Sequence, residues 1–156
     1  MIASGSVYVA SPLGFSVPTR LFYETELLAA LAAAGFAVLD PWQLSPGSDV
    51  HEPVDPMAIG EKNARMIEKA HAVLAVLDGT DVDSGTAAEI GYAAALGRPV
   101  VGYRTDIRQT GEAGAVVNLQ VEYFIRVSGG RITSSLDEAI ALLAEICSGL
   151  PAGGAV

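Results

Sequence analysis

One cysteine, Cys147, occurs in 156 residues, so no internal disulfide can brace the chain, and its place in an apolar segment reads as packing. Positive charge is scarce as well. Nine Lys and Arg stand against eighteen Asp and Glu, a net charge of -9. A phosphate-binding surface needs clustered cations, so a nucleic-acid partner is excluded. No apolar run reaches the roughly 18 residues of a membrane span, and no membrane partner is expected. The start, "MIASGSVYVAS", lacks a basic segment followed by a long apolar stretch, and a cytoplasmic protein without a secretory signal is expected. The two histidines, His51 and His71, have no Cys or His neighbours at zinc spacing. Neither a G-x-G-x-x-G turn after the first strand nor a G-x-x-x-x-G-K-[ST] loop is present. No metal and no cofactor are expected.

What remains is an apolar, sparsely charged chain, with 51% hydrophobic and 17% charged residues. A chain of this length buries roughly two-thirds of its unfolded surface, enough for one core. Residues 1–150 read as a single domain and 151–156 as a flexible tail. "SVYVAS" (6–11) reads as a strand, 19–35 as a helix ended by Gly35, "FAVLDP" (36–41) as a strand, and 42–56 as a surface loop. Helix 57–70 follows, then "HAVLAVLDG" (71–79), a continuous apolar run of the kind found in central parallel strands. Helix 84–97, strand "RPVVGY" (98–103), strand "VEYFIR" (121–126) and helix 134–148 complete the pattern. Alternating strands and helices predict an α/β fold, doubly wound, a flavodoxin-like or Rossmann-like sandwich with a parallel sheet of about five strands. His71 falls at a strand start, where a structural role is expected.

Ligands of such folds sit beyond the carboxyl ends of the strands. "SPLGFS", "DPWQ" and "DGTDVDSGTAAE" meet there. The last segment crowds Asp78, Asp81, Asp83 and Glu89 around one strand-to-helix turn, which Gly85 and Thr86 allow to be tight. Asp83 or Ser84 is the natural N-cap. Glu89 is the only acid of its helix, set near the positive end of the helix dipole. That position suits an ordinary capping acid, and it equally suits a carboxylate pair for glycosyl chemistry.

The string "DSGTAAEIGYAAALGRPVVGY", with "VYVASPLGF" before it and "VNLQVEYFI" after it, resembles the nucleoside 2-deoxyribosyltransferase family over residues 6 to 146. The D-x-G-T-A-x-E-x-G-Y core is the most specific part. The resemblance implies retaining N-glycosyl transfer without a cofactor, with a deoxynucleoside donor and a free nucleobase acceptor. Glu89 falls on the family's nucleophile, Asp83 on its accompanying aspartate, and Tyr8 on the tyrosine beside the nucleophile. Asn118 falls on an asparagine commonly lent by a neighbouring subunit, so a homo-oligomer with shared sites is expected. Asn63 stands where some branches carry an acid near the sugar, and it resembles the purine-preferring branch.

In chemical terms, Glu89 would attack the anomeric carbon while Asp83, made more basic by its acidic neighbours, manages the base proton. Tyr8 would aim the Glu89 carboxylate. Phe15 and Trp42, with Gly14 and Gly85 shaping their loops, would hold the base, although either aromatic equally suits closing the core. Two alternatives stand beside this reading. A nucleoside 5'-monophosphate N-glycosidase would draw phosphate contacts from Ser11, Ser16 and Arg20. A nucleoside-sensing module without turnover would use the same crevice.

Overall fold

The computed structural model describes residues 5–43 and 55–149. His51, most of the expected 42–56 loop and the expected tail at 151–156 lie outside the described residues. Five strands form one sheet: β1 (Ser6–Ala10), β2 (Ala37–Leu39), β3 (Ala72–Val76), β4 (Val100–Tyr103) and β5 (Ile132–Thr133). Their order is β2-β1-β3-β4-β5 and every pairing is parallel. This is the flavodoxin-like order, with its switch point between β1 and β3. All five residues of β3 are buried, as its unbroken apolar run requires.

The first helical rod begins as α1 (Val17–Phe22), widens into a π turn at Tyr23–Leu27, and continues as α2 (Leu28–Ala33). Gly35 takes φ 89°, the left-handed conformation that terminates helices cheaply only in glycine. The remaining helices are α3 (Pro56–Lys69), α4 (Ser84–Ala95), α5 (Leu119–Val127) and α6 (Leu136–Ser148). Successive strand residues face opposite ways. Val7 and Val9 of β1 therefore pack with Tyr23, Leu27 and Leu31 of the first rod and with Leu143 of α6. Tyr8 and Ala10 pack on the other face, with Ile67 of α3, Ile90 of α4 and Ile125 of α5. That alternation turns Tyr8 toward α4.

One expected element is wrong. "VEYFIR" is not a strand but most of α5, and the fifth strand is Ile132–Thr133 instead. The residues of 121–126 favour strands individually, yet their burial follows the helical period. Val121 and Ile125 are buried, while Tyr123 and Val127 are exposed. Asn118 accepts from the N–H groups of Gln120 (3.0 Å) and Val121 (3.3 Å), and Glu122 pairs with Arg126 one turn on. Cap and packing override local propensity here. His71 immediately precedes β3, and its Nδ1 accepts from the Ser6 N–H at 3.0 Å, a bond that ties two strand starts together.

Candidate active site

The carboxyl ends of β1 and β2, the first helical rod, α3 and the N-terminal half of α4 line a cavity of about 940 Å³. At its α4 end the turn is built locally. The Asp83 carboxylate caps α4 by accepting from the Thr86 N–H at 3.0 Å. A Cβ on Gly85 would lie 3.1 Å from Asp83 Oδ2, so the glycine lets the cap close without crowding. Thr86, Ile90 and Ala93 anchor the buried stripe of α4, and Glu89 lies one turn beyond Thr86.

The Tyr8 hydroxyl donates to Glu89 Oε1 at 2.6 Å. Tyr8 is fully buried, and burial, with the Glu89 charge beside it, pushes its pKa far above the ordinary phenol value. It therefore stays protonated and acts as a donor. Glu89 feels three influences. Burial raises its pKa, the Tyr8 hydrogen bond lowers it, and the nearby Asp83 charge raises it, with a net upward shift. One carboxylate oxygen is held by Tyr8, and Oε2 has no hydrogen-bond partner among the described residues.

The sequence-predicted residues divide. Phe15, Trp42, Asn63, Asp83, Gly85 and Glu89 all line this cavity. Gly14 does its work beneath it: a Cβ there would sit 2.3 Å from the Trp42 ring, so the indole rests directly on the Gly14 backbone. Trp42 Nε1–H also donates to the Ser11 carbonyl at 3.1 Å. Phe15 is 75% exposed and meets Trp42 edge to face, with ring centroids 4.6 Å apart. The two rings touch, so no base-wide gap separates them. Asn63 Oδ1 is buried and has no hydrogen-bond partner among the described residues. Asn118 does not line the cavity of its own chain, because its side chain caps α5.

The acidic cluster expected at the turn also splits. Asp78 accepts from the Thr105 and Asp106 N–H groups and the Thr105 hydroxyl, and so latches the loop after β4. Asp81 accepts from the Val82 N–H and is exposed. Only Asp83 and Glu89 of the four face the cavity. Ser11 Oγ is engaged by the Leu13 N–H, and the Ser16 and Thr19 hydroxyls hold one another at 2.6 Å.

A second carboxylate–phenol pair was not foreseen. Asp40, 8% exposed at the end of β2, accepts on Oδ1 from the Tyr23 hydroxyl at 2.6 Å and from the Trp42 N–H at 2.9 Å. Both side chains line the cavity. Asp40 carried a usable signal, an acid closing a strand at the crevice just before "PW". Tyr23 carried none, since its spacing to Leu27 and Leu31 is that of a core stripe.

A smaller cavity of about 570 Å³ lies near β5 and α5, lined among others by Arg104, Arg126 and Arg131 and by Asp106, Glu122 and Glu138. Arg104 spends its guanidinium on the carbonyls of Leu77, Gly79 and Arg108, and Arg126 is paired with Glu122. Its charges are largely answered from within.

Fold and site together define a flavodoxin-like α/β protein with a phenol-bound glutamate set in a crevice at the sheet's switch point. The nucleoside 2-deoxyribosyltransferase profile matches residues 7–128, and the chain belongs to that family. A conserved protein from Enterococcus faecalis V583 superposes with a TM-score of 0.76 at 27% identity, covering 92% of this chain and 99% of the other. A 2-desoxiribosyltransferase from Leishmania mexicana gives 0.69 at 25% identity, covering 90% and 97%. A CMP N-glycosidase from Clostridium botulinum shares the fold, with a TM-score of 0.59 at 18% identity over 88% of this chain and 97% of its own. The chain spans about half the length of the curated relative it matches, an uncharacterized protein of Schizosaccharomyces pombe, 29% identical over 113 residues (65% of this chain, 51% of the relative).

Proposed function

We propose that this protein transfers 2-deoxyribose between nucleobases through an ester on Glu89. The observation that carries the reading is the 2.6 Å bond from the Tyr8 hydroxyl to Glu89 Oε1 at the cavity wall. It aims a partly buried carboxylate whose second oxygen is free to react. In the first half-reaction Glu89 Oε2 bonds to C1' as the C1'–N bond breaks, and the departing base takes a proton from Asp83. In the second, the nitrogen of an incoming base attacks C1', its N–H proton passes to Asp83, and Glu89 leaves as a carboxylate. Two inversions give retention.

Asn63 Oδ1, buried without a partner among the described residues, supplies an acceptor for a sugar hydroxyl. The exposed face of Phe15 supplies a stacking surface for the base. We take purine nucleosides as the preferred class, in keeping with Asn63. The cavity carries four carboxylates (Glu24, Asp40, Asp83 and Glu89) against two cations, Arg20 and Lys62. Lys62 already donates to the Gln43 carbonyl at 2.8 Å. A ligand phosphate would meet net negative charge, so free nucleosides are favoured over 5'-monophosphates.

The test is to mix the protein with a deoxynucleoside, quench in acid, and locate any added mass by peptide mapping. A deoxyribosyl adduct on the peptide holding Glu89 is expected, and none with Glu89→Ala. Turnover with no adduct under any quench, or an adduct elsewhere, would overturn the assignment.

A further inference from the structure

We propose that Asp40 determines base specificity by accepting a hydrogen bond from an exocyclic amine, so that amino-bearing nucleobases are selected over their oxo counterparts. The proposal rests on the reading of this cavity as a nucleoside site.

Asp83 and Glu89 stand at the start of α4, where the anomeric carbon must lie for attack, and Phe15, Trp42 and Asp40 line the same cavity from the loops after β1 and β2. Trp42 links the last three, since its ring meets Phe15 with centroids 4.6 Å apart and its backbone N–H donates to Asp40 at 2.9 Å. In this proposal a base stacked on Phe15 turns its edge to Asp40.

Asp40 is fixed before any ligand arrives. Its Oδ1 takes two hydrogen bonds, from Tyr23 at 2.6 Å and from the Trp42 backbone at 2.9 Å. The Tyr23 hydroxyl reaches it from the π turn at Tyr23–Leu27, an irregularity of the kind often met at functional sites. Oδ2 has no hydrogen-bond partner among the described residues. An ionised carboxylate only accepts, so the atom that meets Oδ2 must be a donor. The amine of adenine or cytosine satisfies it, whereas the oxo group of hypoxanthine or uracil sets one acceptor against another in a desolvated place. The structural bonds explain why Asp40 is rigid, and among the described residues they leave its second oxygen unused.

The test compares deoxyadenosine with deoxyinosine by calorimetry, on a Glu89→Ala background so that neither nucleoside is consumed. Deoxyadenosine is expected to bind about 10–100-fold more tightly, the range of one charge-assisted hydrogen bond. Asp40→Asn keeps an oxygen for Tyr23 and Trp42 and turns Oδ2 into a donor, so the preference should vanish or invert. Should that variant not fold, N6,N6-dimethyldeoxyadenosine, which lacks the donor, answers the same question and should lose the same factor. Equal binding of the two nucleosides, or a preference unmoved by both changes, overturns the proposal. Base exchange by the unaltered enzyme alongside an unmoved preference would sink this proposal alone. Binding of neither nucleoside would sink it together with the reading beneath it.

Discussion

Glu89 is pulled in two directions by its neighbours, and the pulls can be separated by substitution. Burial and the Asp83 charge raise its pKa, whereas the Tyr8 hydroxyl lowers it. A carboxylate nucleophile works only when ionised, so activity is lost as pH falls through the folded-state pKa. That acid limb should lie above the usual glutamate range near pH 4.3. Tyr8→Phe removes the lowering influence and should move the limb to higher pH, with kcat/KM down about 10–100-fold from lost aim. Asp83→Asn removes a raising influence and should move it to lower pH. Profiles of kcat/KM against pH for the three proteins check both directions; a limb that moves in neither variant contradicts the assignment. Stability follows the same linkage with its own sign. A carboxyl whose folded pKa is raised incurs no penalty below its unfolded pKa. The penalty accrues as pH rises from there through the folded value. Glu89→Gln, which keeps an acceptor for Tyr8, should therefore melt higher than the parent at pH 7, and the difference should close as pH drops below about 4. Thermal melts across that window decide it.

Among the elements, the loop Leu13–Phe15 and the turn after β2 form one unit. The Trp42 ring lies on Gly14, and Phe15 stands against it edge on. Gly14→Ala would drive a methyl into the indole and should cost about 1–3 kcal/mol. Trp42 is the only tryptophan, so its emission reports the displacement directly during a urea titration. Phe15→Ala should leave stability nearly intact, because the ring is exposed, and should raise the share of free deoxyribose among the products. Losing the stacking surface lowers the effective concentration of the acceptor base relative to water. An unchanged product ratio would remove Phe15 from the site. The legibility of these elements in sequence was uneven, for physical reasons. Strands buried on both faces, such as β3, announce themselves as apolar runs, and Gly35 and Asp83 announce helix ends. α5 did not, because Val121, Tyr123, Phe124 and Ile125 favour strands one by one, and the deciding cap at Asn118 is a single polar residue. The two-residue β5 is too short to show any period. The Tyr8–Glu89 bond joins residues 81 apart and was reached through the family resemblance rather than through any local signal. The Tyr23–Asp40 bond had no such guide.

At the scale of the whole molecule, Asn118 links a helix cap to an exposed apolar face. It caps α5 and does not reach the cavity of its own chain. Leu119, Tyr123 and Val127 stand exposed along the same helix, an apolar stripe beginning beside Asn118. We propose that a second copy covers this stripe and receives Asn118 at its site, as a two-fold interface allows. Glu89→Ala and Asn118→Ala proteins, each impaired alone, should then regain up to about a quarter of parental activity when mixed and allowed to exchange subunits; that fraction is what random pairing leaves with one intact site. No recovery despite proven subunit exchange, or a fully active monomer by light scattering, would contradict it.

In the proposed transfer, water competes with the incoming base for the same anomeric carbon. The direct measurement is to incubate the protein with deoxyinosine and excess adenine and to quantify deoxyadenosine, hypoxanthine and free deoxyribose together by chromatography. A transferase forms deoxyadenosine in step with hypoxanthine, consumes donor faster when adenine is present, and leaves only a minor share of deoxyribose. Deoxyribose as the main product at saturating adenine would make the protein a hydrolase and overturn the transferase reading.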